Sequence, residues 1–404
     1  MGTASARLSQ PRRDDEAVTS ETDLLSAAGQ QLLDSLRGED VTPDRALVLA
    51  SELRGRYPPG LIAAALTQQS LRMAARAKFS RADVMYFTRA GLEQASSELT
   101  AGHSARRFAG LDLIADLCCG IGGNLAALAD AVGHVLAVDA DLQTLRFAER
   151  NGLALGLADR VTPVCADVTG LALDFRRGPA AAFIDPARRA GSRRFRAGDS
   201  QPPLDWCLGL AGQVPAVGIK AAPGLPHEVV PPGWELEFVA VERGLKEALL
   251  WSPALATSSR RATLLPAGHT LTPAPGPPVP VALPGGYLLD PNPAVTRAGL
   301  VEELARAVGA WKIDSMIAFL SADEEIRTPF ARTLRVLESM PWNERQAARR
   351  LRELGIGTAD IRRRGLAGDV EQIRRRLGLR GEGSAVIVLT RQEGRPWGLI
   401  CTPA

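Results

Sequence analysis

Cysteine, histidine and lysine are scarce in this 404-residue chain, and no long apolar run occurs. Five cysteines, with no C-x-x-C pair and no His/Cys cluster, argue against structural zinc and against a disulfide framework; no metal site is expected. Nothing approaches the length of a membrane span. Residues 1–22 are polar, acidic in their second half, and lack the apolar core of a signal peptide, so a disordered tail on a cytoplasmic protein is expected. Lysine supplies only four of the 48 basic residues. Arginine carries the positive charge, and each cationic site is capable of bidentate contact; genomic base composition accounts for the bias equally well. A net charge of +3 does not by itself announce a polyanionic partner.

What is present begins with 46% hydrophobic residues over a length that suits two or three domains. The most informative stretch is DLCCGIGGN, Asp116 to Asn124, between an apolar run (Leu111 to Leu117) and a helical pattern (Leu125 to Ala131). Strand, glycine turn and helix bring bare backbone against a nucleotide-like ligand; a tight turn with no ligand is the plainer alternative. Gly120 and Gly122 can take positive φ and leave room where a Cβ would clash, and Gly123 opens the helix. Asp139 ends the next apolar run, about 20 residues on, the distance of a ribose-binding acid in a βαβ unit. Asp167 ends the following run, where a carboxylate can accept from an adenine amine. Asp185 ends another, AAAFID. Any single acid is equally a cap or loop former, but three in series mark the carboxyl edge of one parallel sheet, where ligands bind. A dinucleotide fingerprint, G-x-G-x-x-G, would need glycine at 125, where Leu125 stands.

The series DLCCGIGGN, VDAD, CADV and DPAR resembles the class I S-adenosylmethionine-dependent methyltransferases, over roughly residues 107–266. The resemblance implies a Rossmann-like domain with a mainly parallel sheet. It also implies S-adenosylmethionine as cofactor, with Asp116, Gly120 and Gly122 at its amino-acid end, beside Cys118 and Asn124 of the same motif. Asp139 falls to the ribose and Asp167 to the base. The motif after the fourth strand, with Asp185, Pro186 and Arg188, faces the reactive methyl group. Amino-methylating relatives carry Asp/Asn-Pro-Pro-Tyr/Phe there. Ala187 and Arg188 replace the second proline and the aromatic, which speaks against simple amine methylation of a flipped base. Carbon-5 methylation needs a cysteine nucleophile near this motif, and none is present. Cys118, Cys119 and Cys165 read as small core residues. The loop beyond, with Arg189, Arg193 and Arg194, is either solvated or in contact with substrate phosphate. Lys220, after the run Ala216 to Ile219, either reaches substrate or pairs with an acid. Trp251, just before the last expected strand (Arg261 to Leu265), is a base platform or a packing residue.

Residues 23–104 form an expected helical domain. Leu24, Leu25, Ala28, Leu32 and Leu36 recur at helical spacing, Thr42-Pro43 starts the next helix, and Ala63 to Lys78 and Arg81 to Leu99 continue the pattern. Arg76, Lys78, Phe79, Tyr86, Phe87 and Arg89 interleave charge with aromatics, which suits nucleic-acid contact or, more simply, a packed aromatic face. The methyltransferase domain is expected over 105–266, a Pro/Gly-rich semi-rigid linker over 267–286, and a connecting α/β segment over 287–331. From residue 332 the pattern predicts strand, helix, strand, helix, strand, strand. Asn343 with Gln346 and then Asp369 cap the helices, and Glu393-Gly394 turns the final hairpin. Arg345, Arg349 and Arg352 share a helix face and Arg362 to Arg364 lie on the neighbouring strand, a phosphate-tracking surface in preference to a solvated one.

This order resembles the bacterial methyltransferases with a C-terminal THUMP-like domain, whose recurring segments are matched by RAKF, GLEQAS, DPARR, GLKEALLW and DPNPAVTRAG. THUMP domains occur in RNA-modifying enzymes, so the resemblance implies an RNA partner and methyl transfer to a nucleotide of tRNA or rRNA. A non-catalytic RNA-binding or assembly factor that retains the cofactor fold, and a methyltransferase for protein or small molecules, stay open as alternatives.

Overall fold

In the computed structural model, which describes residues 23–170, 178–188 and 200–404, polar side chains start the N-terminal helices. Ser26 caps α1 (Ala27–Ser35), and Thr42 caps α2 (Pro43–Leu53) with Pro43 in the first turn. Then come α3 (Pro59–Ala75), α4 (Arg89–Gln94) capped by Thr88, and α5 (Glu98–Ala105) capped by Ser97. Leu24, Leu32, Leu33 and Leu36 pack with Leu49, Leu53, Leu61 and Ile62. The helical pattern expected to run from Arg81 to Leu99 is interrupted. Ala82–Val84 makes one 3-10 turn, and residues 85–88 form no regular element before α4 begins.

The chain divides into two compact units, residues 1–219 and 220–404. In the first, the α/β part runs β1 (Leu113–Leu117), α6 (Leu125–Ala131), β2 (His134–Asp139), α7 (Leu142–Ala154), β3 (Val161–Cys165) and β4 (Ala181–Ile184). Two-residue strands β5 (Ala187–Arg188) and β6 (Ser200–Gln201) pair antiparallel, and α8 (Leu204–Gly209) leads to β7 (Ala216–Ala221). The parallel order is β7-β4-β1-β2-β3. The order reverses between β1 and β4, and ligands of doubly wound sheets bind at the carboxyl ends beside that reversal. Strands covered on both faces read as unbroken apolar runs, and Ile114, Ala115, Val135, Val138 and all of β4 are buried. β3 ends the order and is half-exposed. Cys165 on it is therefore exposed and not a core residue as its apolar context suggested.

In the second unit β8 (Glu235–Val241) and β9 (Gly244–Trp251) pair antiparallel, and β10 (Arg260–Leu265) runs parallel to β8. One more strand, β11 (His269–Leu271), returns antiparallel to β10 inside the Pro/Gly-rich stretch. β12 (Tyr287–Pro291), α9 (Pro293–Arg297), α10 (Val301–Val308), β13 (Trp311–Lys312) and β14 (Leu320–Ala322) follow. Beyond them lie β15 (Ala331–Pro341), α11 (Glu344–Glu353), β16 (Ile356–Arg363), α12 (Val370–Leu377), β17 (Gly383–Gln392) and β18 (Arg395–Pro403), the order read from the sequence. Asn343 and Asp369 cap α11 and α12. Glu393 and Gly394 both take positive φ, as a two-residue hairpin turn requires. The seven-stranded order is β13-β14-β12-β15-β18-β17-β16. Ala385, Ile387 and Leu389 pack under α11 and α12, while Val386 and Val388 pack with Leu288 and Phe319. Among the described residues no helix is long and apolar enough to cross a membrane.

Candidate active site

Register brings the candidate residues to one edge. Leu117 pairs with Val138 on β2 and with Ile184 on β4, so Cys118, Asp139 and Asp185 each stand one residue beyond a common row. Asp185 N–H donates to Leu117 C=O at 3.2 Å, which fixes the start of the DPAR segment against β1. Asp167 lies two residues past Cys165, the β3 partner of Asp139. Lys220 follows Ile219 within β7 and is half-buried. Asp116 is fully buried inside β1. Arg188 lies on β5, whereas Arg189, Arg193 and Arg194 fall outside the described residues.

The turn after β1 has three left-handed residues, Cys118 (φ 62°), Gly120 (φ 56°) and Gly122 (φ 83°). Only the cysteine pays the Cβ penalty of that conformation, on the order of 1 kcal/mol. Gly120 N–H donates to Asp139 Oδ2 at 2.9 Å, and Asp141 N–H donates to Asp139 Oδ1 at 3.0 Å. One carboxylate thus ties the glycine turn to the end of β2. Each of its oxygens keeps a second lone pair for a ligand hydroxyl. Among the described residues a Cβ built on Gly120 meets nothing within 4 Å, so open space lies beside Gly120. Asn124 is 4% exposed, and among the described residues its buried Oδ1 has no hydrogen-bond partner. A buried acceptor left unpaired is costly. It suits a ligand donor, such as the ammonium of an amino-acid moiety. Asp167 Oδ1 accepts from the Thr169 hydroxyl at 2.7 Å and from its N–H at 2.9 Å, which hold this carboxyl below the ordinary range. Burial, reinforced by the Asp139 charge, pushes the Cys118 thiol up, and burial with Asp116 does the same for Cys119. Both stay protonated, and neither is a poised nucleophile.

Sequence reasoning missed what supports this turn. Asn151 on α7, fully buried, accepts from Tyr86 N–H at 2.6 Å and donates to Tyr86 C=O at 3.0 Å and Ile121 C=O at 2.8 Å. Gln68 treats Phe87 likewise, donating to its C=O at 3.0 Å and accepting from its N–H at 2.9 Å. Two side-chain amides therefore act on residues 86–87 as a neighbouring strand would, and Asn151 extends the tie to the glycine turn. The interleaved basic and aromatic stretch is used for packing: Phe79, Tyr86 and Phe87 are buried. Lys78 Nζ donates to the carbonyls of Leu92 (2.7 Å), Glu93 (3.1 Å) and Ala95 (2.9 Å), so RAKF holds GLEQAS in place. α4 in turn presses on the turn itself. A Cβ on Gly91 would stand 2.5 Å from Ile121 Cγ2, and one on Gly123 3.1 Å from Ala95 Cβ. Trp251 is no base platform. It is fully buried and its indole N–H donates to Glu237 at 2.8 Å. A signal for these roles existed only in the polarity of Asn151 and Gln68 within helices whose buried residues are mostly apolar.

Three family models match parts of the chain: a domain of unknown function over residues 17–75, RNA cap guanine-N2 methyltransferase over 111–184, and THUMP domain-like over 331–403. Two Mycobacterium tuberculosis proteins, described as uncharacterized S-adenosylmethionine-dependent methyltransferases, are 37% identical over 317 residues, which is 76% of this chain and 84% of theirs. A crystal structure of a candidate methyltransferase from Porphyromonas gingivalis W83 shares the fold, with TM-score 0.74 at 21% identity over 97% of this chain and 99% of that one.

Proposed function

This chain belongs to the S-adenosylmethionine-dependent methyltransferases, and from that premise we propose that it methylates a nucleotide of structured RNA, tRNA or rRNA. The observation that carries the RNA reading is a pairing within one chain. A glycine-turn sheet similar to RNA cap guanine-N2 methyltransferases is followed by an arginine-rich unit similar to THUMP domains. S-adenosylmethionine supplies an electrophilic methyl group on a sulfonium sulfur. We assign Asp139 to its ribose hydroxyls, Asp167 Oδ2 to its adenine amine, and Asn124 Oδ1 with the turn from Asp116 through Cys118, Gly120 and Gly122 to its amino-acid end. The Asn124 oxygen, unpartnered among the described residues, and the open space beside Gly120 support this fit.

Asp185 is assigned to orient the substrate nitrogen or oxygen in line with the methyl group and to take its proton as the new bond forms. Positioning supplies most of the rate in such a transfer. Pro186 stiffens the segment, Arg188 and Arg189 hold a phosphate beside the reacting atom, and Arg193, Arg194 and Lys220 contact the substrate. The test is mass spectrometry of nucleosides from tRNA and rRNA of a strain lacking the protein. One methylated nucleoside should vanish, return with the wild-type gene, and not return with Asp185→Asn. Full restoration by Asp185→Asn would remove the role of Asp185. The departure at Ala187 and Arg188 favours a second reading, a cofactor-binding RNA factor without turnover. That reading predicts S-adenosylhomocysteine binding with no labelled-methyl transfer to any RNA.

A further inference from the structure

We infer that Arg243, Arg332, Arg362 and Arg364, gathered around Asp290, form a phosphate-binding site. The inference rests on the RNA reading above and names what is held there, a phosphate of the RNA backbone. Asp290 sits on β12 with its side chain 4% exposed. Arg243 Nη2 donates to its Oδ2 at 2.8 Å, Arg364 Nη2 pairs with its Oδ1 at 3.0 Å, and Arg362 Nη1 also reaches Oδ2. Arg362 is shared with Asp360, at 3.0 Å from Nε. Arg364 is further fixed by Ala318 C=O at 2.7 Å and by the Phe319 ring, 4.7 Å below its guanidinium carbon. Arg332 is the β15 register partner of Asp290, and among the described residues its guanidinium has no hydrogen-bond or ion-pair partner.

Four guanidinium groups thus face two carboxylates, an excess of two positive charges in a half-buried place. A purely structural ion-pair network would sit near balance, because like charges crowded away from water repel strongly. Burial is the largest cause that lowers Arg243 from the ordinary guanidinium range. Asp290 opposes it, and the charges of Arg362, Arg332 and Arg364 add to it. A dianion or phosphodiester entering here relieves that repulsion, and planar forks match its oxygens. The way in is open. Arg332 lines a groove of about 460 Å³ with Thr358, Asp360, Arg374 and Ser384, where two hydroxyls add phosphate-type donors. Of the helix face picked out by the sequence, only Arg349 has an ion pair among the described residues, and the neighbouring arginines off that face are engaged. Arg350 is held by Glu338 and Glu353, Arg376 by Glu344 at 2.8 Å, and Arg349 lies 3.8 Å from Glu353.

The experiment measures binding of end-labelled bulk tRNA to the full-length protein by anisotropy across a salt series. Arg332→Gln removes a charge with no bonded partner among the described residues, so its unfolding transition should coincide with wild type. Affinity should fall roughly tenfold near about 0.1 M salt, and the slope of log K against log salt should lose about one unit. Arg332→Lys should restore most of the slope. If Arg332→Gln binds like wild type, or if Arg349→Gln loses as much, the site is wrong while the RNA reading stands. If wild type binds no tRNA at low salt, the RNA reading fails and the site falls with it.

Discussion

Replacing Asn151 by leucine keeps most of the volume and removes three hydrogen bonds at once, to Tyr86 N–H, Tyr86 C=O and Ile121 C=O. The position is fully buried, so water cannot take over the stranded groups. Each backbone group left unpaired in such a place costs about 1–3 kcal/mol. Partial relaxation trims the sum to about 3–6 kcal/mol, a large part of the roughly 5–15 kcal/mol that holds a domain folded. Urea unfolding should show a lowered midpoint at unchanged slope. Calorimetry should show weaker S-adenosylhomocysteine binding, because Ile121 sits between the two left-handed glycines. Asn151→Asp separates packing from hydrogen bonding: a carboxylate accepts from Tyr86 N–H but cannot donate to either carbonyl. Its folded pKa should rise above the unfolded value, so the variant should gain stability as pH falls through that range and lose it as pH rises. An Asn151→Leu protein within about 1 kcal/mol of wild type, with its cofactor affinity intact, would refute the clamp.

Further outcomes are expected elsewhere in the first unit and among the thiols. Asp139→Asn cannot accept from both Gly120 N–H and Asp141 N–H, so S-adenosylhomocysteine affinity should drop by about tenfold or more, at about 1.5 kcal/mol per charge-assisted bond. An unchanged dissociation constant in calorimetry would contradict its place in the site. Lys78→Met strands the carbonyls of Leu92, Glu93 and Ala95 and should cost at least about 1.5–3 kcal/mol in denaturant titrations. A change lost in the noise would mean that water serves those carbonyls. Iodoacetamide at neutral pH should label the exposed Cys165 in the native protein. Cys207 and Cys401, buried and pushed up to about 12, should stay unmodified until denaturant is added, as peptide mass spectrometry can read. Native labelling of Cys401 would show that its core opens.

Features written in short stretches of chain were legible. The helix Leu125–Ala131, the caps Thr42, Asn343 and Asp369, and the Glu393-Gly394 hairpin each depend on neighbours within a few residues. The edge carrying Asp139 and Asp185 was legible too, because parallel strands of similar length end together. What stayed hidden depends on partners far apart. Residues 85–88 look helical by spacing, yet buried amides from Gln68 and Asn151 satisfy the backbone there in place of helix bonds. Arg362 and Arg364 look like a surface charge run until Asp290, some seventy residues earlier, is seen between them. Trp251 has no local mark that separates stacking on a base from donating to Glu237.

The close fit of α4 against the glycine turn bears on how this chain can change over time. Gly91 leaves room for Ile121, and Ala95 lies against Gly123, with no slack at either contact. A larger residue at 91 must be answered at 121, and one at 123 must be answered at 95. The two stretches must therefore evolve in step, and a copy inherited from β1 onward would arrive without the surface its turn was shaped against. The opening helices behave as the mould in which the glycine turn is cast, and shuffling them away would discard the turn's shape along with them.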